Sequence, residues 1–527
     1  MKTSVLIIGS GLAGLSAAYR LAEQGIECTV VTKAEKLLEG SNSVYAQGGI
    51  VFRNAKHDPS SLIEDILTAG DQINSRSAVE QLAQLGPELV QDLLIDQLQL
   101  PFDREEGQLS FTTEAAHSHA RILHSKDHIG KTIMETLGKV CQEHPLIHVL
   151  TNHSLVDLLT SGHNCRGYSF KYHSNRCLGA YLFDISQGSV KTVLADYTLL
   201  ATGGIGQIYE YHTNAEHAYG SGLAAANRAR VRIINARFVQ FHPTALWTPR
   251  KGRRFLISEA LRGEGAKLMN ADGNYFMQRF PLQDLESRAV VSRAIMEELR
   301  DSPAEFVYLN LADHYTGTIP IPERFPSIFR HCREQGIDIS REPIPVIPAE
   351  HFFCGGIFVD LDGQTELPGL FAAGEVACTG IHGANRLAST SLLECLTWGT
   401  KAADRVHQLL QQGYSADPKA LDLVEDWHSF GSLITDDSLI EREKDHIRSL
   451  MWNDVGILRS VESLRRAQQQ IRPLWKRIDD YYSTHALSES LLELRHQIET
   501  AHLITKSASS HTNLLKDSLG GHVLVEG

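Results

Sequence analysis

The chain opens with the stretch that decides its fold, Ser4-Val5-Leu6-Ile7-Ile8-Gly9-Ser10-Gly11-Leu12-Ala13-Gly14. The first five residues form an apolar run typical of a buried strand, and a helical pattern follows the glycines to about Gln24. In such a turn the first glycine allows the tight bend, the second lets the backbone approach a pyrophosphate, and the third lets the helix pack against the strand. Residues 1–18 could also pass for a signal peptide, but the spacing of the glycines favours nucleotide binding. The motif therefore predicts a Rossmann unit whose cofactor contacts are Gly9, Ser10, Gly11, Leu12, Ala13 and Gly14.

Two further apolar runs, residues 197–202 and 369–373, have the character of buried strands and also end in glycine-containing turns. Ligands of open α/β sheets bind beyond the carboxyl ends of the strands. We therefore expect the three turns to gather around one dinucleotide, with contacts from Thr202, Gly203 and Gly204.

The composition and periodicity of the chain change twice along its 527 residues. Residues 236–351 are rich in Pro and Arg, and beyond about residue 423 apolar residues recur at helical spacing among charged ones. The predicted fold class is α/β, with a Rossmann-like cofactor-binding domain in two parts, residues 1–235 and 352–422. An inserted α+β capping domain of residues 236–351 and a C-terminal helical bundle of residues 423–527 complete the predicted organisation.

Composition excludes several classes of function. A net charge of -13 disfavours nucleic-acid binding, which depends on Lys and Arg neutralising phosphates. Eight cysteines without a CxxC pair predict reduced thiols in a cytoplasmic protein and no iron-sulfur cluster. No apolar run approaches the roughly 20 residues that span a bilayer, so we expect no membrane insertion.

The second strand ends at Lys33, where many dinucleotide-binding proteins carry an acidic residue that forms hydrogen bonds with the ribose hydroxyls. Lys33 followed by Gly40-Ser41-Asn42-Ser43-Val44-Tyr45-Ala46-Gln47-Gly48-Gly49 resembles the superfamily of fumarate reductases, succinate dehydrogenases and L-aspartate oxidases. In that family a lysine replaces the acid and the cofactor is FAD. The resemblance implies FAD contacts from Lys33 and from Asn42, Ser43, Val44, Tyr45, Ala46, Gln47, Gly48 and Gly49.

Asn42 occupies the place of the histidine that bonds covalently to the flavin in succinate dehydrogenases and membrane-associated fumarate reductases. An amide cannot form that bond. The resemblance therefore implies non-covalent FAD, which favours an oxidase or a soluble fumarate-reducing enzyme over a respiratory dehydrogenase.

A second signature is the run Glu114-Ala115-Ala116-His117-Ser118-His119-Ala120-Arg121-Ile122-Leu123-His124. Its histidines suggest a metal site as an alternative, but no acidic ligand is clearly paired with them, and we predict no metal. The run resembles a segment of L-aspartate oxidases that succinate oxidisers lack. The resemblance implies that Glu114 pairs with the ammonium group of the substrate, the alternative being a solvated carboxylate beside structural histidines.

Further matches to the family lie around the inserted lobe. His242, in Gln240-Phe241-His242-Pro243-Thr244, and the pair Ser258-Glu259 match residues that contact a substrate carboxylate. Arg288 matches the arginine that acts as proton donor or acceptor, although Ala289 follows it where the family usually has Asp. A guanidinium has a pKa above about 12, so this role requires a relay or a strong perturbation.

The last matches follow the lobe. His351 and Arg386 match residues that hold the substrate carboxylates, and the planar arginine fork suits bidentate bonds to them. Glu375 matches the acid that binds FAD ribose, and Ser391 with Leu392 matches backbone contacts to the flavin. The resemblance covers about residues 4–500; Ser221, which stands where the family has Asp near the flavin, is a departure that could weaken FAD binding.

Together these matches imply the oxidation of L-aspartate to iminoaspartate, with reduced FAD reoxidised by oxygen or fumarate. The product would pass, through a transient contact, to quinolinate synthase in NAD biosynthesis. Two alternatives stay open on the sequence: a soluble fumarate reductase or succinate oxidiser, opposed by the segment from Glu114 to His124, and an inactive flavin-binding partner protein, kept open by Ser221 and Ala289.

Overall fold

A computed structural model of the chain describes residues 1–53, 59–114, 116–126, 128–166, 168–428, 431–510 and 518–525. Ala115, within the second signature, lies outside the described residues. The strands of three or more residues are β1 (Lys2–Ile8), β2 (Cys28–Val31), β3 (Ile147–Leu150), β4 (His153–Thr160), β5 (Cys177–Asp184), β6 (Ser189–Leu200), β7 (Val239–Leu246), β8 (Lys267–Met269), β9 (Val307–Asn310), β10 (Ile344–Phe353), β11 (Gly356–Phe358) and β12 (Leu370–Ala372). The α-helices of eight or more residues are α1 (Leu12–Glu23), α2 (Pro59–Ala69), α3 (Arg76–Leu89), α4 (Ile129–Glu143), α5 (Ser221–Arg228), α6 (Arg288–Arg300), α7 (Pro326–Glu334), α8 (Ser391–Gln411), α9 (Asp437–Asp454), α10 (Val461–Thr484) and α11 (Glu489–Ser510).

The main sheet has seven strands in the order β3-β2-β1-β6-β5-β4, with β12 also paired to β6. Strands β3, β2, β1, β6 and β12 run parallel, whereas β5 is antiparallel to both of its neighbours, β6 and β4. Leu199 of β6 pairs with Ile7 of β1 on one side and with Phe371 of β12 on the other. The three strands predicted from apolar runs are therefore neighbours, and the glycine turns that follow them meet at one edge of the sheet.

The turn between β1 and α1 depends on two glycines. Gly9 has φ +120°, and a Cβ added there would lie 2.0 Å from the carbonyl oxygen of Ala201. A Cβ at Gly14 would lie 2.0 Å from the carbonyl oxygen of Gly9. Because any side chain at Gly14 would push helix and strand apart, the third glycine of the motif serves packing, as the sequence predicted.

Helix α1 is buried over most of its surface, with Leu12, Leu15, Ala18 and Leu21 among its buried residues, as expected for a helix packed on several sides. It packs against α8, where a Cβ at Gly399 would lie 2.4 Å from Ser16 Oγ. Helix α8 begins at Ser391 and thus brings its amino terminus to the same edge of the sheet as the β1–α1 turn.

The segment between β7 and β10 has an apolar core of its own, made by buried side chains from Leu246 to Val346. Its sheet places β10 between β7 and β9, both antiparallel to it, with β8 on the far side of β9. The chain enters this lobe through β7 and leaves it through β10, so both strands connect the lobe to the main sheet.

The last part of the described chain is helical, as the periodicity predicted. Helices α10 and α11 pack against each other, and α9 packs against both. Of the apolar residues at helical spacing, Ile447, Leu450 and Met451 are buried, whereas Val461 is exposed. Among the described residues, none of the helices combines the length and the apolar character needed to cross a bilayer.

Candidate functional site

A cavity of about 470 Å³ runs from the β1–α1 turn to the inserted lobe. This volume lies within the range of ligand and cofactor sites. Every predicted site residue except Gly14, which packs against the strand, lines it. These are Gly9, Ser10, Gly11, Leu12, Ala13, Lys33, Asn42, Ser43, Val44, Tyr45, Ala46, Gln47, Gly48, Gly49, Glu114, Thr202, Gly203, Gly204, Ser221, His242, Ser258, Glu259, Arg288, His351, Glu375, Arg386, Ser391 and Leu392.

Two helix amino termini face the cavity, those of α1 and α8. Neither has a side-chain hydrogen bond from its N-cap residue, Gly11 or Thr390. The first backbone N–H groups of a helix lack partners within the helix and attract anionic or hydrogen-bonding groups. One of these groups, the N–H of Leu12, donates to Ser43 Oγ at 3.1 Å and so ties the loop of residues 40–49 to the turn.

Asn42 is held by three hydrogen bonds in this loop. Its amide nitrogen donates to Asn214 Oδ1 at 2.7 Å and to Glu375 Oε2 at 3.2 Å, and its oxygen accepts the backbone N–H of Ala215 at 2.7 Å. The side chain therefore braces the loop against the segment after β6, a role that an amide fulfils without any covalent bond to a cofactor.

The cavity suits a dinucleotide with many polar groups. Three buried atoms that belong to its lining residues, Ser41 Oγ, Gln47 Oε1 and Thr202 Oγ1, have no hydrogen-bond partner within the described part of the chain. Buried polar groups are normally paired, so these atoms are available to a ligand. Gly203 has φ +75° and would place a Cβ in open space, which leaves backbone exposed to that ligand. These features fit FAD.

The carboxyl group of Glu375 is the acid nearest Asn42 in the cavity. It accepts the backbone N–H of Phe353 at 3.0 Å. Burial raises the pKa of Glu375 to about 7, so near neutral pH the group is shared between its neutral and ionised forms.

At the opposite end of the cavity, four cationic or imidazole side chains meet from four different segments. The rings of His242 on β7 and His351 on β10 lie 5.2 Å apart between centroids. The guanidinium of Arg386 lies 4.6 Å from the ring centroid of Phe352, and Arg288 begins α6. This end can accept an anion with more than one carboxylate.

Both histidines are neutral before such an anion binds. Burial, reinforced by the charges of Arg288 and Arg386, lowers the pKa of His242 and of His351 well below the usual range. Nδ1 of His242 accepts the backbone N–H of Thr244 at 3.3 Å, so the neutral ring carries its proton on Nε2. Burial also lowers the pKa of Arg386, to about 10, which leaves it charged at neutral pH.

Arg288 belongs to a hydrogen-bonded chain of three charged groups. Its Nε donates to Glu259 Oε2 at 2.8 Å, while Arg262 donates to Glu259 Oε1 at 2.8 Å. Although burial opposes ionisation, the two guanidinium groups lower the pKa of Glu259. Glu259 thus accepts hydrogen bonds from both arginines and, like its neighbour Ser258, lines the cavity. Its contact with a substrate carboxylate, expected from the sequence, stays a prediction.

Glu114 lines the cavity next to the loop of residues 40–49. Its Oε2 accepts a hydrogen bond from the hydroxyl of Ser389 at 2.7 Å. Its Oε1 lies close to Gly48, since a Cβ added to Gly48 would be 2.2 Å from that oxygen. Burial raises the pKa of Glu114, and the hydrogen bond from Ser389 and the nearby arginines only partly offset this effect. A buried carboxylate with a raised pKa is stabilised by an added cation.

The remaining side chains of this segment hold it in place. His117 Nε2 lies 3.0 Å from the carbonyl oxygen of Ala388, and the guanidinium of Arg121 lies 3.1 Å from Asp65. Within the described residues, His, Cys, Asp and Glu form no group of three or more suited to a metal ion.

The structure adds cavity residues that sequence reasoning missed. His153, Ser154 and Leu155 of β4, together with Thr213 and Asn214 after β6, contribute to the lining. Leu492, Glu493 and His496 of α11 do the same from the C-terminal helices. None of these positions carries a local motif; only the apolar character of β4 marks a strand that could reach the site.

The Rossmann-type sheet, the dinucleotide cavity and its cationic end define a class of protein, the FAD-dependent oxidoreductases. Residues 4–392 match a family model described as an FAD binding domain. The chain is 40% identical over 520 residues to L-aspartate oxidase 1 of Ralstonia nicotianae, covering 97% of this chain and 93% of that protein. It is also 40% identical over 532 residues to L-aspartate oxidase of Yersinia pestis, covering 99% and 96%. The chain belongs to the L-aspartate oxidase family.

A comparison of structures agrees with this assignment. The chain resembles E. coli quinol fumarate reductase with a TM-score of 0.86 and 25% identity, covering 100% of this chain and 91% of that one. The fold predicted from the sequence is confirmed by this likeness.

Proposed function

We propose that the protein oxidises L-aspartate to iminoaspartate with non-covalently bound FAD, which oxygen or fumarate reoxidises. One observation carries the proposal: a carboxylate, Glu114, shares the cavity end with Arg288, Arg386 and two histidines. Aspartate has two carboxylates and one ammonium group, and this end offers a partner for each. The printed names of the relatives support the same substrate.

The substrate carboxylates would bind to His242, His351 and Arg386. Arg386 donates to Ser391 Oγ at 3.4 Å, a long bond, and its buried Nε has no partner among the described residues. His242 presents its Nε2–H as a donor. Two carboxylates bound here would satisfy these donors and fix C2 of the substrate at this end of the cavity, where the flavin ring would meet it.

Glu114 would hold the ammonium group and thereby orient the bond between C2 and its hydrogen. FAD bound in the cavity supplies the chemistry of hydride acceptance. The ammonium group must lose a proton as the imine forms, and Arg288 is the proposed acid/base. Its Nε donates to Glu259, so Glu259 would be the group that takes a proton from an arginine that is otherwise always charged.

The lobe would close over the substrate and exclude water. His242 lies on β7 and His351 on β10, the strands by which the chain enters and leaves the lobe. A substrate held by both rings would favour the closed position of the lobe, in which β7 and β10 bring the two histidines to it. Binding and closure would therefore be coupled.

We place the protein in the cytoplasm, since its eight cysteines are all free thiols. Iminoaspartate hydrolyses in water, which favours a transient contact that passes it to quinolinate synthase for NAD biosynthesis.

The test is anaerobic bleaching of the visible flavin absorbance of the FAD-loaded protein by L-aspartate, with succinate in parallel. Bleaching by aspartate alone supports the proposal. Bleaching by succinate alone would instead support a succinate oxidiser, the second candidate, which the likeness to quinol fumarate reductase favours. The absence of bleaching by either would favour a flavin-binding protein without this activity.

The role of Arg288 has its own test. Arg288→Leu should abolish turnover and leave FAD bound, because the residue lies at the substrate end of the cavity. Retained turnover would remove Arg288 from the acid/base role.

A further inference from the structure

One wall of the cavity is built by the C-terminal helices. Leu492, Glu493 and His496 on α11 line it together with Lys33, which follows β2, and with Ser154 on β4. The end of β2 is where a Rossmann fold places the adenosine ribose of its dinucleotide. Helix α11 therefore lies beside the adenosine half of the cofactor site, far from the substrate end.

Glu493 is held in this wall by two lysines. Lys33 forms an ion pair with Oε1, and Lys444 on α9 donates to Oε2 at 2.7 Å. Although burial opposes ionisation, the charges of Lys33 and Lys444 lower the pKa of Glu493. The side chain thus stays an anion in a fixed position. The hydroxyl of Tyr219 also forms a hydrogen bond with Glu493. A carboxylate has about four acceptor sites, so the bonds to two lysines and one tyrosine leave it able to accept one more.

The usual ribose-binding acid at the end of β2 is missing from this chain. Lys33 occupies its place, and an ammonium group has no acceptor for a ribose hydroxyl. Ser221, at the start of α5, also lines the cavity but carries only a short neutral hydroxyl. Lys33 instead forms an ion pair with Glu493 of α11, and this pair places a carboxylate at the same end of the cavity.

We propose that Glu493 accepts hydrogen bonds from the hydroxyl groups of the adenosine ribose of FAD, in addition to Glu375, for which the resemblance implies a contact with FAD ribose. Lys33 and Lys444 position it, and the C-terminal helices become part of the cofactor site. The inference rests on FAD as the cofactor and holds for any substrate oxidised at the other end.

The experiment compares FAD with analogues whose adenosine ribose lacks the 2′- or the 3′-hydroxyl. Each is titrated into the apoprotein, and the dissociation constant is measured by quenching of flavin fluorescence. A hydrogen bond to a charged group contributes about 1.5–3 kcal/mol, which corresponds to roughly 10- to 100-fold in affinity. We expect the wild type to bind at least one analogue more weakly than FAD by about this factor. Glu493→Gln should reduce that ratio to about threefold or less.

Glu489→Gln is the matched control. Glu489 also pairs with Lys33, at 2.9 Å, but does not line the cavity. If Glu493 served only to hold Lys33, both variants would weaken FAD and its analogues equally. The proposal therefore requires that Glu489→Gln keep the wild-type ratio.

Unchanged ratios for both analogues in Glu493→Gln would overturn the proposal, whether or not aspartate bleaches the flavin. If that variant fails to fold by circular dichroism, Glu493→Asp keeps the charge between the lysines and shortens the side chain. The same ratio must fall in Glu493→Asp, and an unchanged ratio there would also refute the assignment.

Discussion

Replacement of Glu114 by Gln should separate aspartate from other dicarboxylates. The amide keeps the size of the side chain and can still accept the hydroxyl of Ser389, now 2.7 Å from Oε2, so the loop over Gly48 should stay in place. What disappears is the negative charge beside the proposed ammonium position. A charge-assisted hydrogen bond contributes about 1.5–3 kcal/mol, so kcat/KM for aspartate should fall roughly 10- to 100-fold.

The same variant should act on succinate or fumarate in a different way. Neither carries an ammonium group, so their binding to the cationic end should change by about threefold or less, or improve as a like charge is removed. The assay is steady-state aspartate oxidation beside fumarate reduction by the same preparation. Glu105→Gln is the control, because Glu105 accepts the hydroxyl of Ser110 at 3.0 Å in a comparable way but lies outside the cavity. An equal loss for aspartate and fumarate would refute the assigned role.

Three further predictions follow from the geometry. Gly14→Ala should lower the stability of the apoprotein by about 2–4 kcal/mol in denaturant unfolding, since the new Cβ would lie 2.0 Å from the oxygen of Gly9; an unchanged midpoint would contradict this. Burial raises the pKa of Glu375 from 4.5 to about 7, so the folded apoprotein holds a proton that the unfolded chain releases, and stability should fall by on the order of 3 kcal/mol as pH rises through that interval. Glu375→Gln should flatten this part of the pH profile of thermal unfolding, and an equally steep profile would exclude Glu375 as its source. Glu259→Gln should slow aspartate turnover at least 100-fold with FAD still bound, because Arg288 loses its charged partner; full activity would exclude the relay.

The sequence predicted those parts of the fold that local patterns encode. The glycines at 9, 11 and 14, the apolar runs of β1, β6 and β12, and the periodicity of the C-terminal helices all depend on residues close together in the chain. The limits of the three predicted domains and the chemical roles of the site residues stay predictions. The domain limits depend on which parts of the chain move together, and the roles of the site residues depend on the bound ligands. The spacing of residues determines neither.

The parts that sequence reasoning missed depend on contacts between distant segments. Asn42 meets Asn214, and Lys33 meets Glu493, at separations of 172 and 460 residues. Such pairs have no periodicity, because each partner is placed by the packing of a different element. The ion pair between Glu259 and Arg288 is a further example, because 29 residues separate the two and a Ser-Glu pair next to a substrate motif does not indicate it.

The charges at the substrate end explain how one framework could serve different dicarboxylates. Arg386, Arg288 and the two histidines provide donors for any pair of carboxylates, so they do not distinguish aspartate from succinate. In the role proposed for it, Glu114 would distinguish them, because a carboxylate left without a cation in the cavity is unfavourable and a ligand lacking the ammonium group leaves it so. Its raised pKa limits this discrimination, since protonation removes the unpaired charge. Selectivity for aspartate should therefore rise with pH as Glu114 ionises, for as long as the amine of the substrate stays protonated.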